Sequence, residues 1–294
     1  MSEVLSVAHV TKRFGNNVAL YNINLAIHGD KIIGLVGRNG AGKTTLLKIL
    51  AGHLRPNKGS AYVLGEEAWE NATTHDQFYL SSCDMQFTAF LRLQDIMDIA
   101  KECYAQWDED YALHLLKRFR LDPKWLYRSL SRGMITIFNN VVALASRVRI
   151  VLMDEPTLGL DAANRAIFYE ELLKDYMEHP RTFIVSSHIL SELENLLEDI
   201  ILIDEGSLVL HSSVDAIKSQ GVVLNGKKDV VLPFIEKRRT YKAQELGNSL
   251  IVSIHNDLTE EDKQYLMDNH VDISTISAQD MCIYLTDHEE EEAR

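Results

Sequence analysis

Apolar residues along this chain fall into short runs separated by polar turns, and the runs follow two different periods. VLSVAHV and the alternating ALYNINLAI, within residues 3 to 27, read as two strands joined at Gly15-Asn16-Asn17, the period-two pattern of half-buried antiparallel pairing. Ile32 to Val36 is an unbroken apolar run, as expected of a parallel strand buried on both faces. GSAYVLG reads as a further short strand. From residue 91 to 145 the period lengthens: LRLQDIMDIAKECYAQ and EDYALHLLKRFRL are amphipathic at helical spacing, and Pro123 marks a break. Strand character returns at RIVLMDE, TFIVSSH and DIILIDEGSLVL. A helix between the first two presents Phe168, Leu172 and Tyr176 on one face. Past residue 222 DVVLPFI, SLIVSIH, VDISTI and MCIYLT are predicted as strands. EEDKQYLM there is predicted as a helix started by Thr259 with Asp262 three residues on. The pattern predicts an α/β nucleotide-binding core with a helical insertion, then a small α+β appendage whose closing DHEEEEAR reads as a disordered acidic tail.

The bulk composition narrows the classes. With 294 residues, 46% of them apolar, the chain can build a sizeable core of one large domain, or one domain and a smaller companion. A formal net charge of −13 argues against sequence-independent nucleic-acid binding, which needs a basic face. Cys83, Cys103 and Cys282 are scattered and form no C-x-x-C pair, so neither a disulfide framework nor a zinc site is expected, which fits a reducing cytoplasm. The N-terminal MSEVLSVAHVTKRFG lacks the apolar core of a signal peptide, and no run is long enough to span a membrane.

The chemistry concentrates after the Ile32 to Val36 run. There the pattern G-x-x-x-x-G-K-T is supplied by Gly37, Gly42, Lys43 and Thr44, and a helical run follows from Thr45 to Leu50. Strand, glycine-rich loop and helix in that order make a phosphate cradle. The glycines let backbone N–H groups converge on one anion, and the helix N-terminus adds its positive dipole end. Lys43 would reach the β- and γ-phosphates, and Thr44 would offer a hydroxyl to Mg²⁺. Downstream, IVLMDE puts two carboxylates at a strand tip. Asp154 would hold the Mg²⁺ shell, and Glu155 would polarise an attacking water as general base.

Between these motifs stands SLSRGM. The order of P-loop, LSxG, Walker B strand and then His188 in IVSSH resembles the ATP-binding subunit of an ABC transporter, of the single-domain bacterial exporter type. The resemblance covers residues 1–220, with a helical insertion at about 85–147, and leaves 221–294 as an accessory domain. It implies a P-loop NTPase core of ABC type with an antiparallel β subdomain. It also implies a head-to-tail dimer in which each ATP lies between one subunit's P-loop and the other's signature. Residue by residue, it implies that Phe14 stacks on adenine and that Gly37, Arg38, Asn39, Gly40, Ala41, Gly42, Lys43, Thr44 and Thr45 hold the phosphates. Ser131 and Gly133 would contact the γ-phosphate on the facing subunit, Asp161 would cross the interface, and His188 would hold the γ-phosphate and the water. Each also has a structural reading: Phe14 as a core or turn aromatic, Asp161 and Ser131 as helix caps, His188 as a packed histidine.

Three single positions and one short stretch depart from the family pattern. Ser82 stands where a metal-contacting glutamine is usual, and its hydroxyl can still ligate a metal, with Gln86 nearby as a substitute. Arg132 and Met134 replace a glycine and a glutamine of the signature, and Ile135 to Asn140 (ITIFNN) replaces a basic, glutamine-rich helix start. ATP and Mg²⁺ are the expected ligands, with slow or asymmetric turnover. The partners implied are a transmembrane permease on a separate chain and a second ATP-binding subunit, identical or not, with no nucleic acid. The implied location is the cytoplasmic face of the membrane. Phe87, Phe90 and Leu91 either meet a permease helix or belong to the insertion's core. The implied cargo is a peptide, drug or lipid-like molecule. The alternatives are a soluble ABC ATPase and a regulatory subunit with little turnover.

Overall fold

The computed structural model describes residues 2–82 and 85–287, so the acidic stretch 288–294, Cys83 and Asp84 lie outside the described residues. The chain divides into two compact units, Met1–His188 with Asn195–His211, and Ile189–Glu194 with Ser212–Arg294. In chain order the elements up to residue 213 are β1 (Glu3–Phe14), β2 (Asn17–His28), β3 (Ile32–Val36), α1 (Lys43–Leu50), β4 (Lys58–Val63), β5 (Glu66–Glu67), α2 (Ala72–His75), β6 (Phe78–Ser82), α3 (Leu93–Cys103), α4 (Glu109–Arg118), α5 (Arg132–Ala145), β7 (Ile150–Asp154), α6 (Ala162–Glu178), β8 (Thr182–Ser187), β9 (Asp199–Asp204) and β10 (Ser207–Ser213).

Two sheets form the first unit. One has the order β10-β9-β3-β8-β7-β6, and the other, β2-β1-β4-β5, is the antiparallel subdomain. Strands β3, β7, β8 and β9 are buried along their whole length, which is why they read as continuous apolar runs rather than alternations. Leu5 and Ile23 of the antiparallel sheet, Leu35 and Ile184 of the parallel one, and Leu47 of α1 share one core. The insertion is helical as predicted, and α5 is buried from Thr136 to its end.

Parallel pairing decides where the chemistry lies. Val36 pairs with Ser187, Asp154 with Ser186, and Ser82 with Asp154, so β3, β8, β7 and β6 end at the same edge of the sheet. The loops that carry function leave from that edge, the usual place for a ligand on such a sheet.

The second unit contains α7 (Val214–Lys218), β11 (Gly221–Lys227), α8 (Lys228–Ile235), β12 (Thr240–Leu246), β13 (Ser249–His255), α9 (Glu260–Asp268), β14 (Asp272–Thr275) and α10 (Ala278–Leu285). Its antiparallel sheet has the order β12-β13-β11-β14. SLIVSIH and VDISTI supply β13 and β14, and Thr259 and Asp262 form the expected reciprocal cap of α9. Two predicted strands are helices instead. DVVLPFI lies in α8, where Val230, Val231, Phe234 and Ile235 recur at helical spacing and cover the sheet. Its β-branched valines imitate a strand, but the buried positions follow the longer period. MCIYLT falls largely in α10, capped by Ser277 and buried at Ala278, Met281 and Cys282, again a helical spacing. The strands β11 and β12 occupy segments for which none was predicted. The segment Ile189–Glu194 belongs to this unit: the Ser191 N–H donates to Gln279 Oε1 at 2.9 Å, and Lys218 Nζ pairs with Glu194 at 2.5 Å. Beside Glu194, burial above all pushes the Cys282 thiol up to about 12.

Candidate active site

The loop from Gly37 to Gly42 is held by close backbone approach. A Cβ on Gly37 would lie 2.1 Å from the Ile203 carbonyl oxygen. One on Gly42, whose φ is +107°, would lie 2.6 Å from that of Ala19. Glycine is therefore required at both positions by space, and at Gly42 also by backbone conformation. Gly42 caps α1 without a side-chain hydrogen bond, which leaves the first N–H groups of the helix to a ligand. Lys43 is buried, and its Nζ donates to the carbonyls of Gly37 at 2.7 Å and Arg38 at 3.3 Å. Burial pulls its pKa below the ordinary value, and the charges of Glu155 and Asp154 oppose that shift.

At the tip of β7 the two carboxylates are held differently. Asp154 is buried and accepts from Thr44 Oγ1 and from Ser186 Oγ, each at 2.7 Å. Ser186 Oγ in turn accepts the Glu155 N–H at 2.9 Å. Glu155 has a φ of +50°, a left-handed conformation that costs a side-chain-bearing residue about 1–2 kcal/mol. Such strain persists where surrounding contacts over-determine it, which is common at functional sites. It turns the Glu155 carboxylate out of the strand line. Oε2 lies 2.8 Å from His188 Nδ1, and Oε1 lies 3.9 Å from Lys43 Nζ. Thr44, Asp154, Glu155, Lys43 and His188 are thus brought together. The hydroxyl and carboxylate oxygens of Thr44 and Asp154 are the donor types a hard divalent cation takes, so the site fits Mg²⁺. Ser82, paired beside Asp154 on β6, lies at the same edge.

The signature stands at the start of α5. Ser131 caps that helix, its Oγ accepting the Met134 N–H at 3.4 Å. Gly133 packs backbone to backbone: a Cβ there would lie 2.7 Å from the Gly159 carbonyl oxygen. Asp161 caps α6 through the Asn164 N–H at 2.8 Å. Phe14 is half exposed at the end of β1, with Lys12 Nζ 5.2 Å from its ring centroid. Phe90 is 72% exposed with Arg128 over its ring, whereas Phe87 packs edge-on against Tyr127 and Phe138 inside the insertion. Sequence reasoning missed Ser186, which links Asp154 to the Glu155 backbone. Its signal was a hydroxyl two residues before His188 at a strand tip.

Gly133→Ala is expected to displace the start of α5 from Gly159 and to cost about 1–3 kcal/mol of stability. Denaturant unfolding checks that cost. A fluorescent-nucleotide titration is expected to show P-loop binding little changed while ATP hydrolysis falls.

Comparison with known proteins agrees with this geometry. The profile of the family described as "ABC transporter" matches residues 20–158. Over 240 residues the chain is 29% identical to the lantibiotic transport ATP-binding protein SrtF of Streptococcus pyogenes, covering 80% of this chain and all of that one. Over 288 residues it is 26% identical to the bacitracin transport ATP-binding protein BcrA of Bacillus licheniformis, covering 94% of each. It is 26% identical over 217 residues to the ABC transporter ATP-binding protein YtrB of Bacillus subtilis, covering 74% of each. A solved ATP-binding subunit of an ABC transporter superposes with a TM-score of 0.67 at 23% identity, over 74% of this chain and 92% of that one. A dimeric cassette in a post-hydrolysis state, bound to ADP and Pi, superposes with a TM-score of 0.63 at 22% identity, over 71% of this chain and 98% of that one.

Proposed function

We infer that this chain, which belongs to the ABC transporter family of ATP-binding, ATP-hydrolysing subunits, powers the export of an amphipathic peptide or lipid-like cargo through a permease on another chain. The observation that carries the hydrolytic part is Glu155, strained out of its strand and set between His188 and Lys43 beside the Thr44–Asp154 pair. In this reading the P-loop from Gly37 to Thr45 binds the ATP phosphates, and Phe14 stacks on the adenine. Glu155 takes a proton from the attacking water, and His188 orients that water against the γ-phosphate. Water bonds to the γ-phosphorus as the bond to the bridging oxygen breaks, giving ADP and phosphate. Thr44, Asp154 and Ser82 would hold Mg²⁺, whose charge would offset that on the phosphate oxygens. Ser131, Gly133 and Asp161 complete the site on a facing subunit. The exposed Phe90 is the best-placed residue of the insertion for a permease helix. Among the described residues no helix is long and apolar enough to cross a membrane. In this reading the chain is a peripheral subunit at the cytoplasmic face, beside its permease. The cargo class rests on the names of SrtF and BcrA, and the export direction on that of the Nod factor export ATP-binding protein I of Cupriavidus metallidurans, 28% identical over 256 residues.

Arg132 and Met134 in the signature favour a second reading, in which turnover is slow or confined to one site of a heterodimer. Steady-state ATPase assays of the purified chain, with and without membranes holding its permease, separate the two. Export predicts stimulation by the permease. Brisk hydrolysis by a homodimer alone would sink the asymmetric reading.

We assign residues 221–294 to dimer bracing or regulation. The alignment with BcrA runs over 94% of this chain, so the appendage is not peculiar to it. Deleting residues 222–294 also removes Gln279, the partner of the Ser191 N–H in the segment that follows His188. The deletion is expected to lower the ATPase rate or weaken ATP-dependent dimerisation in sedimentation. If both are unchanged, the assignment is wrong.

A further inference from the structure

Two adjacent asparagines, Asn139 and Asn140, lie in the middle of α5 and are each 1% exposed. Asparagine is a poor helix former, and burying an amide gains nothing unless its hydrogen bonds are made. Here the Nδ2 groups of both asparagines donate to backbone that matters, while Asn139 Oδ1 is left without a hydrogen-bond partner among the described residues. Asn140 Nδ2 donates to the Pro156 carbonyl, the peptide next to Glu155, at 2.7 Å, and Asn140 Oδ1 accepts from Ser81 Oγ at 3.2 Å. Asn139 Nδ2 donates to the carbonyls of Ser82 at 3.2 Å and Met85 at 3.1 Å.

The Asn140 contact is one of three along a single face of α5. One turn nearer the N-terminus, Thr136 Oγ1 lies 3.2 Å from two carbonyls, that of Leu158 and that of Arg132 in its own helix, and shares its one proton between them. One turn further, Gly133 abuts the Gly159 carbonyl so closely that no Cβ fits. Residues 133, 136 and 140 share a helix face, and the chain from Pro156 to Gly159 runs along it in the opposite sense. The helix that begins with Ser131 and Gly133 is thereby fastened, level by level, to the loop leaving Glu155. Through Asn139 it is also fastened to the carbonyls of Ser82 and Met85.

We propose that Asn140 and Thr136 are positioning residues for hydrolysis: they set Glu155 through the Pro156–Gly159 backbone, so that the placement of the signature helix decides whether the general base is aligned. Asn139 does the same for Ser82 through its backbone carbonyl. ATP captured by Ser131 and Gly133 from a facing subunit then acts on this subunit's own glutamate through a rigid helix. The proposal rests on the reading of Glu155 as the general base.

The test uses the full-length protein with single-turnover and steady-state ATPase assays and a fluorescent-nucleotide titration. Asn140→Leu keeps the side chain's size but removes both hydrogen bonds. It is expected to lower kcat about ten- to a hundredfold, the cost of a small misplacement of a catalytic group, with KM and nucleotide affinity unchanged. Rates are normalised to bound nucleotide, which corrects for misfolded protein. Thr136→Val is near-isosteric and removes only the hydroxyl, so it keeps the test alive if Asn140→Leu fails to fold. It is expected to lower kcat in the same way by a smaller factor. Thr136→Ser, which restores a hydroxyl, is expected to recover the rate. Wild-type kcat per nucleotide site in Thr136→Val and in any folded Asn140→Leu overturns the proposal, as does a matching fall in nucleotide affinity. Glu155→Gln in the same assay keeps the two readings apart. If it lowers turnover as expected while the α5 variants keep the wild-type kcat, only this proposal fails. If it leaves turnover intact, the reading of Glu155 fails and takes the proposal with it.

Discussion

Glu155→Gln is expected to lower the ATP hydrolysis rate by about 10²–10⁴-fold, the range for loss of a positioned general base, while ATP binding is retained. The substitution keeps size and hydrogen-bonding shape but removes the proton acceptor. Glu155 sits 2.8 Å from His188 Nδ1 and 3.9 Å from Lys43 Nζ, and a neutral amide can still occupy that space. Its left-handed backbone is anchored by the Ser186 hydroxyl rather than by its own side chain, so the strand tip is expected to keep its conformation. Nucleotide contacts on the P-loop are untouched. ATP that binds without being hydrolysed should favour any ATP-dependent dimer. Size-exclusion chromatography of the variant with ATP and Mg²⁺ is therefore expected to show a dimer that persists for longer than in the wild type. A hydrolysis rate within a few-fold of wild type would remove Glu155 from the chemistry and leave its strain without a functional account.

The parallel-sheet edge was legible because each part of its chemistry constrains residue type. A phosphate cradle needs Gly37 and Gly42, and buried parallel strands need runs such as IIGLV and IVLM. What escaped was of two kinds. The first is spatial. Nothing in the pattern reveals that Gly133 meets the Gly159 carbonyl, or that Asn140 meets that of Pro156, since these pairs are joined only once α5 packs beside β7. The asparagines read as a departure from a family pattern, and the structure makes them ties between elements. The second kind is a conflict between composition and period. In DVVLPFI the β-branched residues argued for a strand, whereas burial of Val231, with Val230, Phe234 and Ile235 packed against the same core, follows a helix. Tertiary packing on the β11–β13 sheet outweighed local preference. Asp161 and Ser131 show the reverse, for both are helix caps in the fold, and the structural reading is compatible with the interface reading because cap oxygens lie at loop ends.

Lys43→Ala is expected to weaken ATP binding about a hundredfold, from a loss of roughly 3 kcal/mol in charge-assisted hydrogen bonding to phosphate. The lysine is buried, and burial has already pulled its pKa down, so the fold holds this cation at a cost in desolvation. The cost is met by two backbone carbonyls, Gly37 at 2.7 Å and Arg38 at 3.3 Å, and by the nearby carboxylates of Asp154 and Glu155. The same Nζ that donates to the loop is thus placed within the cradle the loop forms. It needs only to exchange a carbonyl for a phosphate oxygen. Removing Lys43 leaves Glu155 and Asp154 facing the phosphates without a counter-charge, so repulsion adds to the lost bonds. Lys43→Arg keeps the charge but not the compact geometry in a space closed by Gly37 and Gly42, and should recover little of the affinity. Isothermal titration with a non-hydrolysable ATP analogue and Mg²⁺ checks both variants. Affinity within threefold of wild type for Lys43→Ala would mean that the loop backbone and the α1 N-terminus bind phosphate unaided.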